Sequence, residues 1–531
     1  MFFVLASGPR LARVLVTSLL LLLPLLTRAD LPSQLAALKA GHPIAGHKID
    51  APLLLGKLYA GSGGAGLWQP AALASLSRAV EGIAGDGLNP EDYFASTLAR
   101  GDLDPAARDV LASESLIRLA YSLRFGKINP RLFDPNWNYS RRLDDTEPVQ
   151  WLRAAIARGD IDAALDELRP TGAYYKGLRA ALAQYRAYAA DGGWSALPTG
   201  EALKPGMDDP RVPALRKRLR AEGVDAPTDG GAHYDDATVA AVKTFQQRHG
   251  LHADGVVGAG TLAQLNVPVG ARINTLRLNL ERVRWVFHDL GPQFVVVNIA
   301  GFQAAYLDHG KRRWTGRVIV GKPFRQTPLF RAEISYLEFN PTWTVPPTIL
   351  RQDLLPKIRA DRGTLKQKNL EVLDSQGKLV DPSNVDWQRF HYTLRQKAGP
   401  DNALGRVKFM FPNPHSVYLH DTPSRELFAQ SERAFSSGCI RIERPLELAE
   451  ALLNDPLKWN RQAIDAAVAS ERTQRVNLPR KVPVMLMYLT AFPDPQGQIQ
   501  FRRDLYARDA ERLQALDGPF TISAPDDFKA R

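Results

Sequence analysis

Two stretches decide how the C-terminal half of this chain is read: Ser416-Val-Tyr-Leu-His420 and Ala434-Phe-Ser-Ser-Gly-Cys-Ile-Arg-Ile442. Side chains alternate in a strand, so the first stretch predicts Val417 and Leu419 in a core and Ser416, Tyr418 and His420 on a cleft wall. His420 then ends the strand, before the turn Asp421-Thr-Pro423, where it is accessible and rigidly held as a general base must be. In the second stretch Ser436, Ser437 and Gly438 are small, so a substrate can approach the backbone. The N–H groups of Gly438 and Cys439 are placed to form an oxyanion hole. Cys439 is the candidate nucleophile. Arg441, two residues on in extended chain, faces the same way and would lower the thiol's pKa or grip a carboxylate. Taken singly, a cysteine beside Ile440 also reads as a small buried hydrophobe, and a single histidine as structural.

Composition frames these stretches. The 531 residues are 45% hydrophobic and 23% charged, ordinary for several globular domains. Lys and Arg total 68 against 56 Asp and Glu, giving +12, which favours an anionic polymer or surface as partner and otherwise serves solubility. The basic residues are scattered, and no nucleic acid is expected as partner. Cys439 is the one cysteine, which excludes intrachain disulfides and Cys-based zinc or iron–sulfur sites; no cofactor or metal is expected.

At the N-terminus Arg10 and Arg13 precede the apolar run Val14–Leu26, and Thr27-Arg28-Ala29 offers a cleavage site, so residues 1–29 read as a signal peptide. At about 1.5 Å per residue the run falls short of a roughly 30 Å hydrocarbon core, and a retained inner-membrane anchor is the alternative reading. Either way the chain is expected to work outside the cytoplasm. An unpaired thiol is a liability there unless it has a task.

Working outward, the expectation is a multidomain α+β chain. Residues 31–200 carry apolar residues at helical spacing, as in Ile161-Asp-Ala-Ala-Leu-Asp-Glu-Leu168, and predict a helical scaffold. Residues 205–268 predict a small three-helix module: Val212 to Leu219, Asp236 to His249, and a short helix near Thr261. From Gln293 the runs Phe294–Ile299, Gly316–Val320 and Ala332–Phe339 predict strands. The β-rich domain is placed at 293–470, interrupted at 350–405 by charged, helix-like sequence that reads as a cap. Residues 476–531 are expected to return to the core, with Pro483–Leu489 and the segment near Gln498–Phe501 in the same sheet.

The order Phe245-Gln246, Gly250-Leu251, Asp254-Gly255, Gly258, Thr261, Leu265-Asn266 resembles the small peptidoglycan-binding domain. The pairing of His420 with Ser-Ser-Gly-Cys439-Ile-Arg resembles the catalytic signature of the L,D-transpeptidase family, most closely its large Gram-negative members. Further marks of that likeness are Asp86-Gly-Leu-Asn-Pro90, Leu280-Glu-Arg-Val-Arg-Trp285, Val320 to Pro328, Asn340 to Pro347, Phe411-Pro-Asn413 and Asp504-Leu-Tyr506. Many relatives carry a histidine just before the motif glycine; here that position is Ser437, leaving the upstream His420 as the base.

The resemblance implies a periplasmic enzyme that joins peptidoglycan stems. Cys439 would attack the carbonyl before the terminal D-Ala of a tetrapeptide donor, and a meso-diaminopimelate amine of an acceptor stem would resolve the thioester into a 3→3 cross-link. No acidic third member is evident, and a backbone carbonyl near Asp421 would orient His420. Tyr418, Ser437, Arg441 and Trp343 are the substrate-binding candidates; Trp343 reads equally as core filling. Other wall-synthesis enzymes are candidate partners.

Three other classes compete with this reading. A zinc amidase or peptidase would need a His-Glu-x-x-His pair, which is missing, and His415 and His420 would fall on opposite strand faces. A cysteine hydrolase (an L,D-carboxypeptidase) would use the same acyl-enzyme with water as acceptor. A non-catalytic wall-binding scaffold would explain the charge but not the Cys/His pair.

Overall fold

The computed structural model describes residues 30–139, 147–288 and 290–522, so the signal-peptide reading of residues 1–29 lies outside the described residues. Helices dominate the first part, and local chemistry sets their starts. Pro52, Pro70, Pro105 and Pro148 each open a helix, where the missing N–H costs nothing. The helix Pro105–Phe125 is capped by Asp104, whose carboxylate accepts from the N–H groups of Ala106 and Ala107. That helix is buried along most of its length, including Val110, Leu111, Leu116 and Leu119.

The three-helix module follows, with helices Val212–Ala221, Asp236–Arg248 and Ala259–Leu265 around its own core of Leu215, Leu219, Val242, Phe245 and Leu265. Its sequence motif has a physical basis in buried Gln246. The Gln246 amide donates to Asp254 (2.9 Å) and Thr261 (3.1 Å) and accepts from the Gly255 N–H (2.9 Å). One side chain thus ties a helix, a turn and the next helix together.

A long helix, Val269–Val286, then leads into the β-rich part. It carries the Leu280–Trp285 motif, and burial explains those residues. Arg284 and Glu281 form a fully buried pair at 2.6 Å, and Arg284 also donates to the Asp86 carbonyl (2.8 Å). Asp86 in turn pairs with Arg169 (2.9 Å) and Arg179 (3.0 Å). Two motifs far apart in sequence therefore form one polar knot between the scaffold and this helix.

The strands are β1 (Gln293–Asn298), β2 (Gln303–Asp308), β3 (Lys311–Gly321), β4 (Phe330–Phe339), β5 (Trp343–Thr344), β6 (Leu370–Leu373), β7 (Leu379–Val380), β8 (Thr393–Gln396), β9 (Val407–Met410), β10 (Leu419–His420), β11 (Ala434–Ser436), β12 (Ile440–Ile442), β13 (Gln474–Met487), β14 (Ala491–Pro493) and β15 (Ile499–Phe501). Nine of them form one sheet in the order β11-β3-β12-β10-β9-β4-β13-β1-β2, and β2 pairs back onto β3, closing a barrel. Closure pairs every strand of the ring on both sides, and β11, bonded to β3 alone, lies outside the ring. Its interior holds Val295, Val297, Leu337, Phe409, Leu419, Ile440 and Leu486, in one continuous core with the scaffold helices. Tyr139 links the two by donating to the carbonyls of Phe330 (3.2 Å) and Leu486 (3.1 Å).

Three expectations need correction. Ser416–His420 is not a strand throughout: only Leu419 and His420 pair, and Ser416 adopts φ 53°. Asn413 causes this, because its side chain bonds the backbone of Phe411, His415 and Val417 and folds the loop. The stretch at 350–405 is not merely helical. Together with Trp343–Thr344 it forms a four-stranded sheet, β5-β8-β6-β7, and helices Leu355–Ala360 and Gly363–Gln367 around a separate core of Val345, Ile358, Val372, Trp387 and Leu394. The segment at Gln498–Phe501 does not rejoin the barrel, since β15 pairs only with β14.

Candidate active site

β10 and β12 run parallel, with Leu419 opposite Ile440 and His420 opposite Arg441. This register sets the two sequence stretches side by side. Cys439 stands immediately before β12, half-buried, its sulfur 3.7 Å from the Ser416 carbonyl. The left-handed turn at Ser416 aims that carbonyl at the thiol. Tyr418 brings two further polar groups to the sulfur, its backbone N–H and its hydroxyl.

The loop carrying Cys439 is braced from both sides. Ser436 Oγ donates to the Cys439 carbonyl (2.5 Å) and accepts from the Gly438 N–H (3.1 Å). Thr327 donates to the Gly438 carbonyl (2.8 Å). Tyr506, of the Asp504-Leu-Tyr506 motif, donates to the Gly321 carbonyl (2.7 Å) and accepts from the Thr327 N–H (3.2 Å). At Gly321 a Cβ would collide with the backbone of Arg325 and Thr327, so that approach requires glycine. Gly438 has φ 119°, which also favours glycine.

The bracing corrects the expected oxyanion hole. The Gly438 N–H is committed to Ser436, whereas the Cys439 N–H donates to nothing among the described residues.

His420 is 4% exposed, contrary to the expectation of an accessible base. Its Nδ1–H donates to the Asp421 carbonyl at 2.6 Å, the backbone orientation expected from sequence. Burial, reinforced by the nearby Arg441 charge, pushes its pKa down to about 3. The ring is therefore neutral at physiological pH, with Nε2 unprotonated. Burial also raises the Cys439 thiol, against the lowering influence of Tyr418, Lys408 and Arg441. The resting pair is a neutral thiol and a neutral imidazole, and no hydrogen bond joins them among the described residues.

The other predicted residues fall around this pair. Tyr418 meets His420 edge to face, with centroids 5.6 Å apart. Trp343, on β5 at the base of the cap, reaches the Tyr418 hydroxyl. Ser437 is exposed, and its Oγ accepts from Arg325 at 2.9 Å. Arg325 also pairs with Asp353 of the cap (2.5 Å). The cap thus contacts the site twice, at Tyr418 through Trp343 and at the Cys439 loop through Asp353–Arg325–Ser437. Arg441 lies beside His420, and its Nε is buried without a partner.

Sequence reasoning missed Lys408, Ser436 and Arg325. Lys408 Nζ lies 4.3 Å from the centroid of the Tyr418 ring. The signal for it was the alternation in Val407-Lys-Phe-Met410, where Val407 and Phe409 are core and Lys408 must face the other way. Among the described residues no group of three or more His, Cys, Asp or Glu side chains could hold a metal ion.

Comparison with known families divides the chain in the same sense as the fold. Residues 292–470 match the L,D-transpeptidase catalytic domain, residues 54–182 a scaffold domain, and residues 208–265 a family described provisionally as a peptidoglycan-binding domain. A Haemophilus influenzae protein, named provisionally as an L,D-transpeptidase, is 37% identical over 242 residues, or 44% of this chain and 48% of that one. An N-acetylmuramoyl-L-alanine amidase of Bacillus licheniformis is 40% identical over 75 residues, or 14% of this chain and 21% of the amidase. The chain thus spans about half or less of the curated relatives it matches. A solved L,D-transpeptidase from Xylanimonas cellulosilytica aligns with 54% of this chain and 98% of its own, at 15% identity and a TM-score of 0.18. The β-rich part of this chain is an L,D-transpeptidase catalytic domain. A peptidoglycan-binding module precedes it in the same chain.

Proposed function

We propose that the protein is an exported peptidoglycan L,D-transpeptidase that forms 3→3 cross-links with Cys439 as nucleophile. The observation that carries this reading is the set of groups around one sulfur: a single thiol on a braced loop, flanked by Tyr418, Lys408 and Arg441, with a neutral, backbone-oriented His420 on the strand that pairs with the one after Cys439. The thiol proton passes to His420 Nε2 as sulfur bonds to the donor's meso-diaminopimelate carbonyl carbon. The carbonyl oxygen takes the negative charge facing the free Cys439 N–H. Collapse of the tetrahedral intermediate breaks the peptide bond, and His420 returns the proton to the departing D-Ala amine. The acceptor's side-chain amine then attacks the thioester, loses a proton to His420, and releases the thiol.

The cap acts in the second half-reaction. Held to Tyr418 by Trp343 and to the Cys439 loop by Arg325, it excludes water from the thioester and so favours the amine over hydrolysis. Its cations are not all free to steer acidic stems: Arg359 donates to the Trp387 carbonyl, and Arg362 lies over the Trp387 ring. Lys357, Lys366 and Lys368 remain exposed for that role. The peptidoglycan-binding module would keep the enzyme on its polymer.

The test is Cys439→Ala, incubated with purified cell wall whose stems are then released and weighed by mass spectrometry. Complete loss of 3→3 dimers in a folded variant is expected. Dimers formed by Cys439→Ala would overturn the mechanism, and shortened monomers with no dimers from the unmodified enzyme would make it a hydrolase.

A further inference from the structure

We propose that Lys408 is a positioning residue for the Cys439 thiolate, acting through Tyr418; the inference rests on reading Cys439 as the nucleophile. β9 lies between β4 and β10, so Lys408 sits opposite Glu338 on one side and His420 on the other. Val407 and Phe409 point into the barrel core, which sends Lys408 to the face that carries Tyr418. The ammonium lies on the Tyr418 ring, and the hydroxyl of that ring reaches the sulfur.

A cation on the face of a phenol draws density from the ring and makes the hydroxyl a stronger donor. The ring is also fixed in place, with Trp343 at its hydroxyl and the His420 edge beside it. Lys408 forms no ion pair among the described residues, although Glu338 is its cross-strand neighbour and the nearest compensating carboxylate. The remaining charges facing this group are Arg441, beside the sulfur, and Glu426, which faces Arg441. A thiolate forming in this half-buried place therefore meets Tyr418 directly and Lys408 behind it. His420, neutral and without a bond to the sulfur, supplies no charge in the resting site.

Cys439 is the sole cysteine, so its reactivity can be read without substrate. Iodoacetamide forms one S–C bond as iodide leaves, and a single mass increment counts the product. The pH–rate profile of alkylation is measured on the full chain and on Lys408→Met, Lys408→Arg, Tyr418→Phe and the Lys408→Met/Tyr418→Phe double variant. Lys408→Met is expected to move the profile up by about one pH unit and to slow alkylation about tenfold near pH 8. Lys408→Arg keeps the rate within about threefold, because the charge returns to the ring face. In the Tyr418→Phe background, Lys408→Met has a clearly smaller effect than in the unmodified chain, because only the direct field of the ammonium on the sulfur is then left to lose.

A Lys408→Met profile that superimposes on the unmodified one would overturn the proposal, as would a full additive effect in the Tyr418→Phe background. Circular dichroism checks folding, and Lys408→Gln replaces the Met variant if that one unfolds. Cross-linking is not the readout, so failure of the transpeptidase reading in the Cys439→Ala test remains a separate result.

Discussion

His249 of the peptidoglycan-binding module and His420 of the barrel are both buried and both set Nδ1 against a backbone carbonyl, at 2.8 and 2.6 Å. Their second nitrogens differ. His249 Nε2 meets Glu222 at 3.1 Å, and Glu222 is held in turn by Arg218 (2.8 Å) and by Tyr185 of the scaffold (2.7 Å). His420 Nε2 has no partner among the described residues. A buried histidine with both nitrogens engaged serves the architecture. One with a nitrogen left over keeps a lone pair free for another group.

The largest effect should come from His420→Gln. Cross-linking should fall by about 10²–10⁴, the usual worth of a positioned base, with far-UV circular dichroism unchanged. A rate within a few-fold of the unmodified enzyme at neutral pH would dissolve the contrast, because another base would then be at work.

The same residue should leave a mark on acid stability. Its folded pKa, near 3, lies below the roughly 6.5 of an unfolded histidine, so between those values the unfolded chain binds the extra proton. Stability is complete above about pH 6.5 and is lost as pH falls toward 3, by on the order of a few kcal/mol. Urea midpoints measured between pH 7 and 4 should show a shallower acid loss for His420→Gln. Identical slopes for the two proteins would contradict the buried, neutral assignment.

His249→Leu should invert the pattern seen for His420→Gln. It removes a partner from buried Glu222 and from the Phe245 carbonyl, costing about 1–3 kcal/mol in the module's urea transition while leaving turnover per folded molecule in place. Lost turnover with unchanged stability would reverse the two assignments. The smallest effect belongs to His233, which pairs with Asp208 at 3.0 Å in the open, with side chains 54% and 77% exposed. His233→Ala should shift stability by less than about 0.5 kcal/mol, read from the same midpoints.

Much of the fold was legible because its signals are local. The long runs of β1, β3, β4 and β13 are β-branched and bounded by turns, and the module's three helices announce their caps and glycines. The cap's sheet was hidden: β6 and β8 are four residues each, set among charged sequence, and only long-range pairing makes them strands. Ser416 was misplaced because its left-handed turn is imposed by Asn413, and nothing about serine predicts it. Cys439 and His420 could be found because their residue types are rare and chemically pointed. Lys408 was only half legible: alternation turns it away from the core, but a lysine in a strand ordinarily faces solvent, and its seat on Tyr418 depends on β9 and β10 being neighbours. The Gly438 N–H was misjudged because its consumption by Ser436 is a matter of one rotamer.

The position of β13 in the barrel bears on how the fold is made. It lies between β1 and β4, joining residues 484–487 to residues 295–298, so the barrel closes only across nearly two hundred positions of chain. Such distant pairings are slow to form, and unpaired strand edges invite association while they wait. A nascent chain that has reached Ala469 already contains Cys439, His420, Tyr418 and Lys408 but neither the closed wall on which they mount nor the Tyr506 that braces the loop. Its thiol would be an ordinary unfolded cysteine. The candidate site is thus assembled only with the late strand that shuts the barrel.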